Sequence, residues 1–517
     1  MALGTTAAGV PLNTTAVLLE SGNVTATGGN GVYILTTSGD LLARVGAAAT
    51  VNGGNANGIY AANYGTGTTT INSTGTITGG SGAGISTMEN VGTAVAINLN
   101  NGANVSATSG VAIKDDGGQA TLMMASGSKL AGQVLMGNGN DEMIIKGTAD
   151  IGGATLLDGG NGTDSTVTDI LGTAGAATNK LSFQSTTQSL AGSLMKNWQT
   201  VTVDHSTLNF TGDAALVAGT GSNSDGSLQG LVLTNGATVN SPIALAVTGD
   251  TAIDATSTLN HSLGGSITGN VSNAGLIYWQ NLNQTLTING NYTGVAGSKL
   301  SLETYLGGDS SATDKLHVTG NTSGSTAITV RPVAGSPGAQ TVNGINIVQV
   351  DGTSAAGSFT LAAPVQAGAY QYVLKQGSAV DANDWYLNST YNCALNNSCS
   401  VTPDTPIYRP GVANYVSGQT ANAEQGFHQL SALHQRMGEQ KSVNADGRQT
   451  WLRAYHTTQD NDGETQFGYK QRITGFQIGQ EILARGLGDG GTERAAIAID
   501  YANSYAKFTD RMRTLAN

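Results

Sequence analysis

Residues 76–85 read Thr76-Ile77-Thr78-Gly79-Gly80-Ser81-Gly82-Ala83-Gly84-Ile85. A short alternating strand runs into a Gly/Ser turn and ends on a glycine followed by a hydrophobic residue. The same glycine-hydrophobic step occurs at Gly31-Val32, Gly58-Ile59 and Gly110-Val111, so the separations are 27, 26 and 26 residues (58−31, 84−58, 110−84). A weaker echo continues through Ala131-Gly132 and Ile151-Gly152. Other short alternating runs lie at 49–52, 231–234 and 285–288. Short strands at a fixed period, with no helical pattern between them, predict an all-β fold: a parallel β-helix, or solenoid. One turn of such a chain cannot bury its own inner face. Stacking turns closes a narrow core and pairs each strand above and below. The 388 residues before the composition changes would give about fifteen turns and a rod roughly 70 Å long. Glycine and asparagine suit the left-handed backbone sites of the corners.

Composition supports this reading. The 517 residues include 74 Gly but only 8 Pro and 7 Phe, too few large side chains for ordinary compact cores. Disorder is the alternative for a chain this rich in Gly, Ser, Thr and Asn, and the recurring Val, Ile and Leu argue against it. The net charge is −12 and is unevenly placed: residues 1–400 hold 10 Lys/Arg against 22 Asp/Glu, and residues 401–517 hold 12 against 12. The long acidic, sparsely charged part disfavours nucleic acid as a partner. The change in character marks a boundary near residue 400.

Candidate chemistry is sparse. Cys393 and Cys399 are the two cysteines, spaced for a small disulfide loop in an oxidising compartment, with two free thiols as the other reading. Gly137-Asn138-Gly139-Asn140-Asp141 and Gly159-Gly160-Asn161-Gly162-Thr163-Asp164 look like single calcium-binding nonapeptides, but they lie 22 residues apart (159−137) instead of nine, so they are read as solenoid turns. Gly308-Asp309-Ser310-Ser311 lacks the glycine that a nucleophile elbow needs after its serine. The six histidines are scattered, and His428 and His434 are not at the spacing of a zinc pair. The carboxylate pairs Asp115-Asp116 and Asp141-Glu142 are read as exposed loop charges. No catalytic residue, metal ligand or cofactor is expected, so the chain is not read as an enzyme.

From Gly269-Asn270-Val271 onward a series of motifs follows in order: Gly290-Asn291-Tyr292-Thr293-Gly294, Gly307-Gly308-Asp309, Thr313-Asp314-Lys315-Leu316-His317-Val318, Gly344-Ile345, Val348-Gln349-Val350-Asp351-Gly352, Ala367-Gly368-Ala369-Tyr370-Gln371-Tyr372 and Asn383-Asp384-Trp385-Tyr386-Leu387. As a set, these resemble the C-terminal autochaperone part of pertactin- and AIDA-type autotransporter passengers. The resemblance implies a right-handed β-helix. It also implies that Gly290, Asn291, Tyr292, Asp309, Asp314, Gly344, Asp351, Gly352, Gly368, Tyr370, Trp385 and Tyr386 belong to a segment that folds first outside the cell and templates the rest.

The resemblance continues into the tail. Ile407-Tyr408-Arg409-Pro410 is similar to the start of a translocation unit. Phe427, Leu430, Leu433, His434 and Met437 recur at helical spacing over 418–440, where the family threads a helix through its pore. Trp451-Leu452-Arg453-Ala454, the run 475–480 and the run 495–501 resemble the first strands of an outer-membrane barrel. The implied division is a β-helix passenger at 1–287, an autochaperone region at 288–388, a linker with the Cys loop at 389–417, a pore helix at 418–441 and an incomplete antiparallel barrel segment at 442–517. A barrel must close. The opening Met1-Ala2-Leu3-Gly4-Thr5-Thr6 has no signal-peptide pattern. Both features suggest a piece of a longer protein.

The implied function is that of a surface-displayed passenger, an adhesin or cell aggregation factor, at the bacterial outer membrane and cell surface. The barrel portion would reside in the outer membrane with help from barrel-assembly machinery, and the passenger would meet host surfaces or neighbouring bacteria. Two other readings stand beside this: a non-functional fragment of a split or decayed gene, and a stalk that delivers an enzyme.

Overall fold

The computed structural model describes residues 13–90, 93–137, 139–160, 178–223, 226–378, 381–391, 405–430, 449–462, 466–488 and 490–510. The chain divides into two units. The first comprises residues 1–336, 343–365 and 373–387, and the second comprises 337–342, 366–372 and 388–517.

The first unit is a parallel β-helix. One column of inward side chains runs through Val17, Ala43, Ile71, Ile97, Leu122, Met143, Leu181, Val201, Leu231, Thr251, Val271, Tyr292 and Thr322, each in register with the next across a parallel strand pair. These thirteen levels span roughly 58 Å at the usual strand separation. The steps are regular as far as Leu122, at 26, 28, 26 and 25 residues (43−17, 71−43, 97−71, 122−97). A second column stacks Val32, Ile59, Ile85, Ile113, Val134, Leu157 and Met195. Two more run through the C-terminal half: Leu208-Val239-Leu259-Ile277-Leu300-Ile328-Leu361 and Val247-Ile267-Ile288-Val318-Val350. Nearly all of these side chains are buried. Alternation along each strand sends every second residue into the core, and stacking makes the columns continuous.

The repeated glycines have a steric cause. A Cβ on Gly31 would lie 2.8 Å from the Gly58 carbonyl oxygen, one on Gly58 2.6 Å from that of Gly84, and one on Gly84 2.7 Å from that of Ala112. The corner therefore stacks glycine on glycine. The fourth step differs from the sequence reading: Ile85 is in register with Ile113 instead of Val111. Gly110 sits in the preceding turn at φ +84°, so this turn is 28 residues long (113−85). Further on, Ala131 lies against Gly153 and not against Ile151.

In the second unit, Thr390–Tyr391 pairs antiparallel with Thr405–Pro406, and Tyr370 stacks on Tyr408 with centroids 5.5 Å apart. The helix spans Val412–Leu430, so it begins six residues before the expected start (418−412), and residues 431–448 lie outside the described part. Leu433, His434 and Met437 are among those residues. Phe427 and Leu430 are exposed, and the buried helix positions are Ala413, Ser417 and Ala421. Three antiparallel strands follow: Thr450–Asn461, Phe467–Gly486 and Thr492–Asp510. One face of these strands buries Tyr469 and Ile473 together with polar side chains, and the other exposes large apolar ones. Gln471, Gln477 and Glu481 are buried, whereas Leu452, Phe476, Ile478, Ile497, Ile499 and Tyr501 are exposed. The helix lies on the buried face. Gln471 Nε2 donates to the Ala421 carbonyl at 3.0 Å, and Gln477 Nε2 donates to that of Gln429 at 3.2 Å. Small side chains on the helix permit this approach, and so the conspicuous apolar residues do not mark its packed face.

Candidate functional site

The chain from residue 249 onward, which includes the motif series that starts at Gly269, builds a ladder at one corner of the first unit. Gly249, Gly269, Gly290, Gly320 and Gly352 stack there, with a Cβ on each of the last four placed 2.2–2.5 Å from the preceding glycine carbonyl oxygen. The residue after each glycine supplies the next rung. Asp250 accepts from the Asn270 backbone N–H at 2.7 Å, Asn270 Oδ1 from that of Asn291 at 3.0 Å, Asn291 Oδ1 from that of Asn321 at 2.8 Å, and Asn321 Oδ1 from that of Thr353 at 2.8 Å. Side-chain oxygens thus meet corner amides that the strand ladders do not reach. Sequence reading found Asn270, Asn291 and Gly352 but passed over Gly249-Asp250, Gly320-Asn321 and Thr353. The recurring Gly-Asx dipeptide was the available signal.

Tyr292 points into the core from this corner. Its ring stacks on Phe359 at 5.8 Å, and Phe359 meets the Trp385 ring edge-on at 5.4 Å. The buried Tyr292 hydroxyl does not go unpaired: Ser298 and Thr326 oxygens lie 3.0 Å away, and Asn273 Nδ2 donates to it at 3.1 Å. Burial pushes its ionisation upward. Trp385 Nε1 donates to Ser354 Oγ at 2.8 Å. The Tyr386 hydroxyl donates to Asp384 at 3.1 Å, and Asp384 also accepts from the Val350 N–H at 2.8 Å.

The conspicuous aspartates are clamps. Asp309 accepts from the Asn343 and Gly344 N–H groups at 2.8 and 3.1 Å, and Ser311 Oγ donates back to the Gly308 carbonyl at 2.7 Å. This stretch is therefore a turn lock. Asp314 accepts from the Gln284 and Glu303 N–H groups at 3.0 and 2.7 Å; burial pushes its carboxyl up, while these amides pull the other way. Asp351 accepts from His317 Nε2 at 2.9 Å, and that contact holds its carboxyl below the ordinary range. Gly344, at φ +99°, has no room for a side chain, since a Cβ would meet that of Tyr386 at 2.8 Å. Gly368 and Tyr370 belong to the second unit, so ten of the twelve motif residues share the first unit and two do not. Cys393 and Cys399 lie outside the described residues. Arg331, not singled out in the sequence, sits 4.2 Å from the Tyr278 ring centroid and donates to the Tyr278 hydroxyl and the Trp279 carbonyl.

Two expectations are corrected. Asp115 and Asp141 are not exposed loop charges: each is 1% exposed. Asp115 ends the strand Val111–Asp115 on the same side as the buried Ile113, because alternation carries it inward. Asp141 is used by the Ala120 N–H at 2.7 Å. Among the described residues no group of three or more His, Cys, Asp or Glu is arranged to hold a metal ion.

A stacked parallel β-helix thus closes on this ladder and aromatic core. Residues 265–374 match the family model described as Autochaperone Domain Type 1. The chain is 37% identical over 239 residues to the uncharacterized protein YdeU of Escherichia coli (strain K12), covering 43% of this chain and 50% of that protein. It is 41% identical over 164 residues to the adhesin BmaC autotransporter of Brucella suis biovar 1 (strain 1330), covering 30% of this chain and 5% of that one. It is 35% identical over 231 residues to the autotransporter adhesin AIDA-I of Escherichia coli, covering 43% and 17%. The chain spans half or less of the length of these relatives. In these matched stretches the chain is similar to autotransporter passengers that carry a type 1 autochaperone domain.

Proposed function

We propose that the chain serves as the adhesive, cell-surface part of an autotransporter, in attachment to host surfaces or in aggregation of neighbouring bacteria. The observation that supports this most is the repetition of one polar surface along the solenoid. Half-buried amides form a row over three levels, where Asn240 Nδ2 donates to Asn209 Oδ1 at 2.8 Å and Asn260 Nδ2 to Asn240 Oδ1 at 3.1 Å. Like side chains repeated on successive levels suit many weak contacts acting together. The names of BmaC and AIDA-I as adhesins agree with this. Residues 288–388, with the twelve motif residues, would nucleate folding of the passenger at 1–287, and barrel-assembly machinery would insert the strands of 442–517. Cys393 and Cys399 would close a small disulfide loop in the linker.

Cells that display the chain should settle faster than cells without it, and protease added outside should remove the passenger and the effect together. Mixing displaying with non-displaying cells separates the two roles: co-settling of both indicates adhesion to other surfaces, and settling of displaying cells alone indicates self-association. Unchanged settling together with a passenger that resists external protease would reject the proposal.

A further inference from the structure

One inner corner of the β-helix, where the column of Ile59 and Ile85 turns into the column of Ile71 and Ile97, is lined by buried polar residues on successive levels. Asn63, Glu89 and Asp115 sit at strand ends, and Asp141 and Asn179 immediately precede the strands Glu142–Lys146 and Lys180–Gln184 across the same corner. The two asparagines show what the corner requires. Asn63 Nδ2 donates to the Gly67 and Gly39 carbonyls at 3.1 and 3.3 Å, while its Oδ1 accepts from the Gly65 N–H at 3.0 Å. Asn179 Nδ2 donates to the Gly160 and Asn197 carbonyls at 2.8 and 3.2 Å, while its Oδ1 accepts from the Asp141 N–H at 2.9 Å. Each amide both gives and receives.

The three residues between them are carboxyls, and an ionised carboxylate can only receive. Glu89 is 7% exposed, and neither of its oxygens makes a hydrogen bond of good geometry, although the Thr69 hydroxyl and the Asp115 carboxyl face it. Asp141 Oδ1 accepts from the Ala120 N–H at 2.7 Å, but its buried Oδ2 has no partner. Asp115 accepts from Thr87 Oγ1 at 2.5 Å and from the Gly117 N–H at 3.3 Å. None of the three takes part in an ion pair among the described residues. The other titratable groups around the corner are Asp116, which Lys114 meets at 2.9 Å, Tyr60 and Tyr64 on the outer face, and Glu142 and Lys180, in register on the strands flanking Asp141. Three buried negative charges on adjacent levels would repel one another with little solvent to screen them. A protonated carboxyl carries an O–H and can do what the amide NH2 of Asn63 and Asn179 does.

We propose that Glu89, Asp115 and Asp141 form a proton-operated lock in the first third of the passenger: neutral, they close the corner across residues 85–145, and ionised, they loosen those levels while the rungs beyond Val201 stay closed. Burial, with the neighbouring carboxyls, pushes Glu89 and Asp115 well above the ordinary carboxylate range, and burial pushes Asp141 up to about 7. The unfolded chain would release these protons near pH 4. The lock's stabilisation is therefore fully present below that pH and is lost as pH rises through the folded-state values, with Asp141 reaching its midpoint near neutrality.

Hydrogen–deuterium exchange on the full chain, corrected for the intrinsic pH dependence of exchange, tests this between about pH 5 and about pH 8.5. Amides of residues 85–145 should lose protection by about tenfold or more at the higher pH, and those of 230–330 should show no such loss tied to rising pH. The variant E89Q/D115N/D141N should hold the first segment equally protected at both values. An infrared band of protonated carboxyl should persist at neutral pH in the unaltered chain, a readout that does not depend on the variant folding. The proposal is overturned by a flat pH response in 85–145, by a wild-type response in the amide variant, by absence of the carboxyl band, or by calcium chloride alone restoring protection at the higher pH. The last result would mean that a cation, and not a proton, neutralises the corner.

Discussion

The levels between Val32 and Asp141 and the levels between Asp250 and Trp385 solve the same problem with different chemistry. Both stack glycines at a corner so that backbone can approach backbone. In the first region the core is aliphatic, and its polar corner depends on buried carboxyls, of which Glu89 and Asp141 keep oxygens that no donor reaches. In the second, Tyr292, Phe359 and Trp385 fill the core, and the corner is an amide ladder whose acceptors are met by backbone N–H groups. Amides keep their hydrogen bonds at any pH, while carboxyls trade theirs for charge. Large aromatic rings also bury more surface per level than Val or Ile. The second region therefore has more of its polar groups met and larger side chains buried within its own levels. The first region depends more on its surroundings.

Truncating the aromatic core should break this contrast most severely. Trp385→Ala should cost about 3–5 kcal/mol and remove the most denaturant-resistant step in a urea unfolding curve of the full chain. A loss below about 1 kcal/mol would show that the rings are not what holds this region. Crowding the glycine stack should act on both regions alike. Gly58→Val and Gly290→Val, which place new atoms against the Gly84 and Gly269 carbonyls, should each cost about 1–3 kcal/mol by thermal melting. A cost confined to one of them would mean that the other corner can relax.

Opposite responses to pH would sharpen the comparison further. His261, on the C-terminal side, is buried against Trp279 with centroids 4.8 Å apart. Neither of its ring nitrogens has a hydrogen-bond partner, and burial drives it down to about 4. Its contribution is fully present above about pH 6.5 and is lost as pH falls through about 4. Cooling of the second region's melting point on acidification, worth about 2 kcal/mol between about pH 6.5 and about pH 5, should vanish in His261→Leu. The carboxyl corner of the first region should respond in the reverse direction. The smallest effect is expected from single rungs: Asn291→Ala and Asn321→Ala should each cost about 0.5–1.5 kcal/mol, and a larger loss would mean that the ladder acts cooperatively.

Much of the first unit was legible because a solenoid writes its period into the chain. The steps at Gly31, Gly58 and Gly84 fall on the observed register, and the motif series after Gly269 was readable as a set. What failed to read were places where two patterns compete. Asp115 looked like a loop charge although alternation from Ile113 already placed it inward. Charge was allowed to outweigh parity. The helix was expected on the strength of Phe427 and Leu430, yet Ala413, Ser417 and Ala421 face the strands. A surface that packs against polar side chains selects small residues and not hydrophobic ones.

By itself, the sequence determined that this chain stacks short parallel strands, that the motifs after Gly269 form one series, and that composition changes near residue 400. These depend on local spacing and residue type, which every copy of a turn repeats. Only the tertiary structure decided which level each strand meets, as with Ile113 in place of Val111 against Ile85. It alone showed that Tyr292 shares a core with Phe359 and Trp385, and that three carboxyls face one another inside a corner. Those outcomes depend on the lengths of the intervening turns, and a change of two residues in a turn moves a strand along its partner without changing which side chains point inward.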